Sequence, residues 1–156
     1  NKISGDKISD YKVIIHALRL MEKKDKTKYD IIVSLPPTSP LRKSKDVIGA
    51  IKMLINKKFD AVWTVNKTDS KYHPLKQLNI KHNKLKFYDQ KGSKIIARQQ
   101  LSTVYHRNGV AYVMTRNCLV SKKNIISKNT GAYEVKDFQI SIDTEADLKL
   151  ANKLFI

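Results

Sequence analysis

The sequence has 156 residues, 41% of them hydrophobic, which predicts one globular domain with a substantial core and excludes a disordered chain. Its single cysteine, Cys118, cannot form an internal disulfide, and no apolar run has the length of a membrane span, so we expect a cytoplasmic protein without a signal peptide or membrane association. The formal net charge of +17 has three interpretations: nucleic-acid binding, attraction of small anionic substrates, or a codon bias toward Lys, Ile and Asn. The basic residues are scattered along the chain and form no aromatic-interleaved patch, so we favour codon bias with solvated surfaces and do not expect nucleic-acid binding as the main function.

The first predicted element is an amphipathic helix that follows a polar loop at residues 1–8. Ser9 or Asp10 can cap this helix, which is expected to run to about Lys23. The apolar face of the helix consists of Val13, Ile14, Ala17, Leu18 and Met21.

The next element is a short strand inside the stretch YDIIVSLPPTSPLR, at residues 29–42. Its apolar run, Ile31–Leu35, is rich in β-branched residues and predicts a strand buried on both faces of a parallel sheet. Two prolines then end the strand, and Thr38 and Ser39 follow in a loop. Ligands of open α/β sheets bind at the carboxyl ends of strands, so this loop is a candidate site.

A helix and a second strand follow the loop. Ser44 is predicted to cap a helix over Lys45–Asn56, whose apolar residues recur at helical spacing. The apolar run Ala61–Val65 predicts the second strand. The three elements form a βαβ unit, for which a right-handed crossover is expected.

Residues 66–97 are mostly polar and predict an arm outside the parallel sheet. Apolar residues alternate on both sides of a turn at His82–Lys84, which is typical of an antiparallel hairpin: Leu75, Leu78, Ile80, Leu85, Phe87 and Tyr88. The hairpin either mediates association or simply covers one edge of the sheet. His73 is not a metal ligand in our interpretation, since no second His or Cys lies at ligand spacing.

The segment from Arg98 to Tyr112 is the densest polar cluster. An arginine can bind a carboxylate through two parallel hydrogen bonds, although Arg98 can equally be a surface cation. Asn108–Gly109 predicts a tight turn, in which glycine takes a positive φ, and Val110–Met114 predicts a strand. Cys118, which follows that strand, is expected to be a buried structural thiol.

The end of the chain places a carboxylate between a strand and a helix. Phe138–Ile142 predicts a strand that leads to Asp143, and Thr144 with Asp147 predicts the start of the last helix. Asp143 is either a seat for Mg²⁺ or a helix cap.

Several collinear blocks resemble the acylneuraminate (CMP-sialic acid) cytidylyltransferases. The segment LPPTSPLR is similar to LQPTSPLR of that family. Further blocks that resemble the family lie at residues 4–10, 59–74, 98–112 and 141–147. The family's Gly- and Lys-rich loop, which holds the CTP phosphates, has no counterpart, so we expect this chain to be the C-terminal part of such an enzyme.

The resemblance implies a fold and a set of roles. The implied fold is α/β, with a Rossmann-like, mostly parallel sheet of the nucleotide-diphospho-sugar transferase type and helices on both faces. The chain would form a single domain with an incomplete N-terminus. Residues 66–97 of this domain would be an antiparallel dimerisation arm. The implied sugar-binding residues are Thr38, Ser39, Arg98, Asn108 and Tyr112. The resemblance also implies that Ser9 lies near the nucleotide and that Asp143 holds Mg²⁺. Ile125 and Ile126 lie where relatives carry two aromatic residues that close the sugar pocket of the partner subunit.

Three positions depart from the family pattern. Pro36 and Ser141 stand where relatives carry site residues, the latter in place of the first of two aspartates, and His106 stands where many relatives carry arginine.

The implied activity is cytidylyl transfer. The enzyme, a homodimer, would convert CTP and a nine-carbon sugar acid to a CMP-sugar and pyrophosphate. No residue stands out as the general base. The chain alone is expected to be nearly inactive. The alternative is a basic, non-catalytic binding module that keeps the fold.

Overall fold

The computed structural model describes residue 5 and residues 8–154, which form two compact units. The first unit contains the described residues up to 65 together with residues 107–154, and the second contains residues 66–106. The expected single domain with an arm at residues 66–97 therefore stays a prediction. Part of the block at residues 4–10 that resembles the family, namely residues 4, 6 and 7, lies outside the described residues.

The helices and strands are as follows. The α-helices are α1 (Asp10–Asp25), α2 (Ser44–Lys57), α3 (Arg116–Val120) and α4 (Glu145–Leu154). The strands are β1 (Ile31–Ser34), β2 (Ala61–Lys67), β3 (Leu78–Lys81), β4 (Lys84–Phe87), β5 (Tyr105–Thr115) and β6 (Thr130–Glu134). No helix of the described residues is both long enough and apolar enough to cross a membrane.

A mixed sheet with the strand order β1-β5-β2-β6 forms the centre of the first unit. β1 runs antiparallel to β5, with Ser34 opposite Tyr112, whereas β2 and β6 are parallel. The amide of Thr115 donates to the carbonyl of Asp60, and the amide of Ala111 donates to the hydroxyl of Thr64, so β2 is also antiparallel to β5. Three strands are therefore parallel and β5 is reversed between β1 and β2.

Helices cover both faces of this sheet, as predicted. Alternate residues of a strand point to opposite faces. On one face, α1 and α3 pack in a cluster with Ala61 and Met114, and on the other face α2 packs against Val62 and Val113. The α/β fold class is confirmed. The strand β1 is present, but the expectation that it is buried within a parallel sheet is wrong. It lies at the edge, pairs antiparallel with β5, and its residues are half-buried because only one side has a neighbouring strand.

The structure corrects some local predictions. Phe138–Ile142 is not a strand: Phe138 is exposed, and the amide of Ile142 donates to the Thr38 carbonyl instead of to a neighbouring strand. Asn108–Gly109 is not a turn but lies inside β5, although Gly109 does have a positive φ of 69°. Ser44 is the first residue of α2 and not its cap, because the preceding Lys43 has the extended backbone of a cap residue.

The predicted start of α1 is correct, but its predicted buried face is partly wrong. Ser9 is the cap residue, as predicted, but its side chain makes no capping hydrogen bond, and the helix runs to Asp25. Ile15 and Leu18 are its buried residues, whereas Val13 and Met21 are exposed.

The second unit is built from the predicted hairpin and short 3₁₀ turns. β3 and β4 pair antiparallel, with Leu78 opposite Phe87 and Ile80 opposite Leu85. The two turn residues, His82 and Asn83, both have positive φ, which is typical of a tight two-residue hairpin turn. All residues of both strands are exposed.

Candidate functional site

The loop after β1 is fixed to the middle of β5 by one arginine. The Arg42 Nε donates to the Val110 carbonyl at 2.6 Å, and its terminal nitrogen donates to the carbonyls of Gly109, at 3.3 Å, and Pro36. Partial burial lowers the pKa of this guanidinium, but it stays charged at any physiological pH. Arg42 therefore serves the loop as a structural clamp, and the sequence gives a signal for it only through the LPPTSPLR motif.

Ser39 and Gly109 meet inside this clamp. The Ser39 side chain is buried, and its hydroxyl donates to the Asn108 carbonyl at 3.0 Å. A Cβ atom added to Gly109 would lie 2.5 Å from the Ser39 Oγ, which is closer than real Cβ atoms approach. Glycine is thus required at position 109 by the close approach of Ser39 as well as by the positive φ.

Asn108 is held by a second strand. Its Oδ1 accepts from the Thr64 hydroxyl at 2.7 Å and from the Val110 amide at 3.0 Å. Asn108 is 6% exposed, so these bonds satisfy a polar atom that water hardly reaches. This network fixes the shape of the sheet edge at which β1 ends, and a role of Asn108 in sugar binding stays a prediction.

Asp143 lies beside the same loop. The Ile142 amide donates to the Thr38 carbonyl at 2.9 Å, which brings the segment before α4 next to the candidate loop. The predicted helix start is confirmed, since Asp147 accepts from the Thr144 amide and hydroxyl. These bonds lower the pKa of the Asp147 carboxyl. The helix is thus capped without Asp143, whose exposed carboxylate has no hydrogen bond or ion pair in the described part of the chain.

The oxygen atoms at this edge can bind a cation such as Mg²⁺ only if a bound substrate supplies further oxygen ligands. Within residues 8–154, no group of three or more His, Cys, Asp and Glu side chains could hold a metal ion. Asp143 offers one carboxylate and the exposed Ser141 a neutral hydroxyl. Mg²⁺ takes one or two carboxylates and completes its shell with waters and substrate phosphates, so these residues fit Mg²⁺ that is bound together with a phosphate ligand.

Tyr112 and Ser9 lie on the α1 side of the sheet. Tyr112 is half-buried and packs edge-on against Trp63, with ring centroids 4.9 Å apart. Burial raises the pKa of the Tyr112 hydroxyl, the Arg107 charge lowers it, and the Asp10 charge raises it. Tyr112 and Ile14 of α1 pack against the same apolar cluster, and the exposed Ser9 is the cap residue of α1.

Ile125 and Ile126 lie in the segment between α3 and β6, beside β2. The Trp63 indole donates to the Ile125 carbonyl, and the Ser127 hydroxyl donates to Asp60, which immediately precedes β2. The candidate loop follows the carboxyl end of the parallel strand β1. The role of Ile125 and Ile126 in a partner's pocket stays a prediction.

Arg98 belongs to the second unit and lines a cavity of about 460 Å³ there. The other lining residues that carry polar side chains are Lys67, Thr68, Asp69, Ser70, His73, Ser102 and Thr103. Arg98 forms no ion pair with any acidic side chain of residues 8–154. An unpaired guanidinium among hydroxyl groups can bind an anion that carries hydroxyl groups of its own.

The contacts of two histidines in this unit were not predicted from the sequence. His73 is 3% exposed and lines the cavity, and its Nδ1 accepts the Leu75 amide at 3.1 Å. His106 is exposed, and its Nδ1 lies 3.0 Å from the Thr68 hydroxyl. The His-Pro step at His73 is a local turn signal, but nothing in the sequence pattern signals its burial.

Comparison with known proteins confirms the resemblance. The chain is 27% identical over 152 residues to N-acylneuraminate cytidylyltransferase of Escherichia coli O18:K1:H7 (strain RS218 / NMEC), which covers 96% of this chain and 34% of that protein. It is 25% identical over 153 residues to post-translational flagellin modification protein B of Campylobacter coli, which covers 97% of this chain and 64% of that protein. The chain thus spans about one third and just under two thirds of these relatives. No family model matches it.

The fold is also that of a solved structure. The structure of CMP:2-keto-3-deoxy-manno-octonic acid synthetase complexed with CTP superposes with a TM-score of 0.59 at 14% sequence identity. The match covers 88% of this chain and 66% of that one. At this identity, the comparison shows that the fold is shared and carries no residue roles.

Proposed function

We propose that this chain is part of a cytidylyltransferase that joins CTP to a nine-carbon sugar acid and releases pyrophosphate. The observation that carries the proposal is the convergence of Thr38, Ser39, Asn108 and Asp143 at the carboxyl end of β1. Crevices at such strand ends are the binding sites of open α/β sheets. The sequence similarity to N-acylneuraminate cytidylyltransferase supports the choice of substrates.

The reaction is a displacement at phosphorus. The anomeric hydroxyl oxygen of the sugar acid forms a bond to the α-phosphorus of CTP, and the bond from that phosphorus to the bridging oxygen breaks. Pyrophosphate leaves with the bonding electrons, and the hydroxyl proton is lost. Phosphoryl transfer of this kind depends mainly on positioning and on charge stabilisation, which the fixed loop at residues 36–42 is suited to provide.

Mg²⁺ is the proposed cofactor, with Asp143 as its protein ligand. When bound, the ion neutralises charge on the phosphate oxygens and on the leaving group. Ser141 stands next to this site with a neutral hydroxyl, so Ser141→Asp is expected to strengthen Mg²⁺ binding because a second carboxylate adds attraction at short range. Titration of the activity with Mg²⁺ measures this effect.

Arg98 is proposed to bind the carboxylate of the sugar acid. The unpaired state of its guanidinium and the hydroxyl-lined cavity support this role. Thr38, Ser39, Asn108 and Tyr112 are proposed to contact the rest of the sugar, and Ser9 to lie near the nucleotide. Ser39 and Asn108 are buried, so a bound sugar can contact only the few atoms of these residues that remain exposed.

A homodimer is proposed because the second unit exposes apolar side chains. Ile80 is 75% exposed and Leu85 61% exposed on the β3–β4 hairpin. A contiguous apolar surface of this kind is typical of an association site. Ile125 and Ile126 are proposed to reach the sugar pocket of the partner subunit, and the lone buried thiol of Cys118 supports a reducing compartment such as the cytoplasm.

The test is cytidylyl transfer itself. The chain of 156 residues and the product of the complete gene are each incubated with CTP, Mg²⁺ and N-acetylneuraminate, and CMP-sugar and pyrophosphate are measured. We expect turnover by the complete gene product and very little by the 156 residues, which contain no counterpart of the phosphate-binding loop. Binding of both substrates without turnover by the complete gene product would favour the non-catalytic binding module instead.

A further inference from the structure

The second unit contains a buried histidine that is attached at one ring nitrogen only. His73 caps the short 3₁₀ turn Pro74–Lys76, and its Nδ1 accepts the Leu75 amide at 3.1 Å. Because this nitrogen accepts a backbone N–H, it carries no proton, and the proton of the neutral ring is on Nε2. His73 therefore presents Nε2–H as a hydrogen-bond donor.

This donor has no acceptor within the described residues. His73 is 3% exposed, and its Nε2 is buried without a hydrogen-bond partner. A buried donor without an acceptor destabilises the folded state, and buried polar atoms of native proteins are nearly always paired. An unpaired buried donor in a residue that lines a cavity indicates a ligand atom or a water as the missing acceptor.

The cavity that His73 lines is suited to an anion. Lys67 and Arg98 contribute two cations to its lining, whereas Asp69 contributes one carboxylate. That carboxylate already accepts the Lys71 amide in a local turn. The hydroxyls of the lining can both donate to and accept from a polyhydroxylated ligand.

We propose that His73 is a ligand-binding residue whose Nε2–H donates a hydrogen bond to an oxygen atom of an anionic sugar acid, in the same cavity as Arg98. The choice of a sugar acid rests on the proposed function. The histidine supplies a neutral hydrogen-bond donor beside the charged guanidinium of Arg98. It therefore discriminates between ligands by the position of an acceptor oxygen and not by their charge. A ligand that lacks an acceptor at this point leaves the donor buried and unpaired, which lowers its affinity.

Two substitutions separate the two nitrogens of the ring. In His73→Asn, the amide oxygen can replace Nδ1 as the acceptor for Leu75, but no donor remains at the place of Nε2. In His73→Gln, the longer side chain restores an N–H donor near the place of Nε2 and loses the turn bond. His82→Asn is the matched control, since His82 is an exposed turn residue of the same unit with a positive φ, which asparagine tolerates.

The test is a titration of the complete gene product with N-acetylneuraminate, and separately with gluconate, a simpler polyhydroxylated carboxylate. The dissociation constant is measured together with the imidazole ¹⁵N–¹H correlation of His73. We expect an Nε2–H tautomer whose resonance shifts on binding. We also expect about tenfold weaker binding in His73→Asn, recovery in His73→Gln, and no change in His82→Asn or in the affinity for CTP.

The two proposals fail differently. If His73→Asn binds both acids as tightly as the unmodified protein, or if neither acid shifts the His73 resonance, the histidine is structural and the inference is overturned. If gluconate binds in a His73-dependent way while N-acetylneuraminate neither binds nor accepts the cytidylyl group, the inference stands and the proposed function fails.

Discussion

The contact between Ser39 and Gly109 allows a quantitative prediction for Gly109→Ala. The backbone at this position has a φ of 69°, and for a residue with a Cβ the left-handed region costs about 1–2 kcal/mol. The new Cβ would also lie 2.5 Å from the Ser39 Oγ, so the hydroxyl must rotate away from the Asn108 carbonyl. Loss of that hydrogen bond adds about 0.5–1.5 kcal/mol. We therefore expect Gly109→Ala to lower the free energy of unfolding by about 2–3 kcal/mol.

Ser39→Ala separates the steric part from the backbone part. Alone, it removes the hydrogen bond to Asn108 and should lower the free energy of unfolding by about 1 kcal/mol. The Ser39 Cβ lies 3.8 Å from the added atom, which is an ordinary contact, so Ser39→Ala relieves the clash in the double variant. The hydrogen bond is then lost only once, and the double variant should be more stable than the sum of the single effects by about 1 kcal/mol.

The assay is urea unfolding of the three variants and the unmodified chain, followed by circular dichroism. A Gly109→Ala variant within 0.5 kcal/mol of the unmodified chain, or strictly additive costs in the double variant, would refute the reasoning. If Gly109→Ala lowers the free energy of unfolding by only about 1–2 kcal/mol, the cost expected for the left-handed backbone, rotation of the Ser39 hydroxyl has no energetic consequence. The cycle thus tests whether the loop and β5 are coupled through this one contact.

Four other substitutions test the site and the fold. In the complete gene product, Arg98→Lys should raise the KM for the sugar acid about five- to 150-fold and leave the KM for CTP unchanged, because an ammonium cannot reproduce two parallel bonds to a carboxylate. Asp143→Asn should abolish the response of the activity to Mg²⁺ in the micromolar to millimolar range. Ile80→Glu should shift a dimer to a monomer in sedimentation, because it puts a charge in the exposed apolar hairpin. The Arg116 guanidinium lowers the pKa of the Glu22 carboxyl. This ion pair therefore stabilises the fold at pH values above the ordinary glutamate pKa, and the stabilisation is lost as the pH falls through the lowered pKa. Arg116→Met should lower the free energy of unfolding at neutral pH but not in acid.

Specific outcomes contradict these predictions. An Arg98→Lys variant with a raised KM for CTP alone would place the guanidinium at the nucleotide. An unchanged Mg²⁺ response in Asp143→Asn would remove that residue from the metal site. A monomer of the unmodified protein at tens of micromolar would remove the basis of the Ile80 prediction. A stability loss in Arg116→Met that does not change with pH would mean that the arginine acts by packing.

The elements predicted correctly are those in which local signals suffice. The helical spacing of apolar residues in α2, the β-branched run of β1 and the apolar alternation of the β3–β4 hairpin are each readable within a dozen residues. β6 was missed because its sequence, TGAYE, is short and polar. This strand is stabilised by parallel pairing with β2, which is far away in the sequence. The false strand at Phe138–Ile142 has the local pattern but pairs with the loop at Thr38 instead.

The candidate site shows the same division. The sequence by itself determined the strand, the loop with Thr38 and Ser39, and the carboxylate of Asp143 ahead of the last helix, because composition and capping signals are local. Only the tertiary structure decided that β5 lies reversed between β1 and β2 and that Gly109 faces Ser39. It also decided that His73 is buried, with an Nε2 that has no partner among the described residues. These features depend on which distant segments meet, since burial and hydrogen-bond partners are set by contacts across the fold and leave no periodic pattern along the chain.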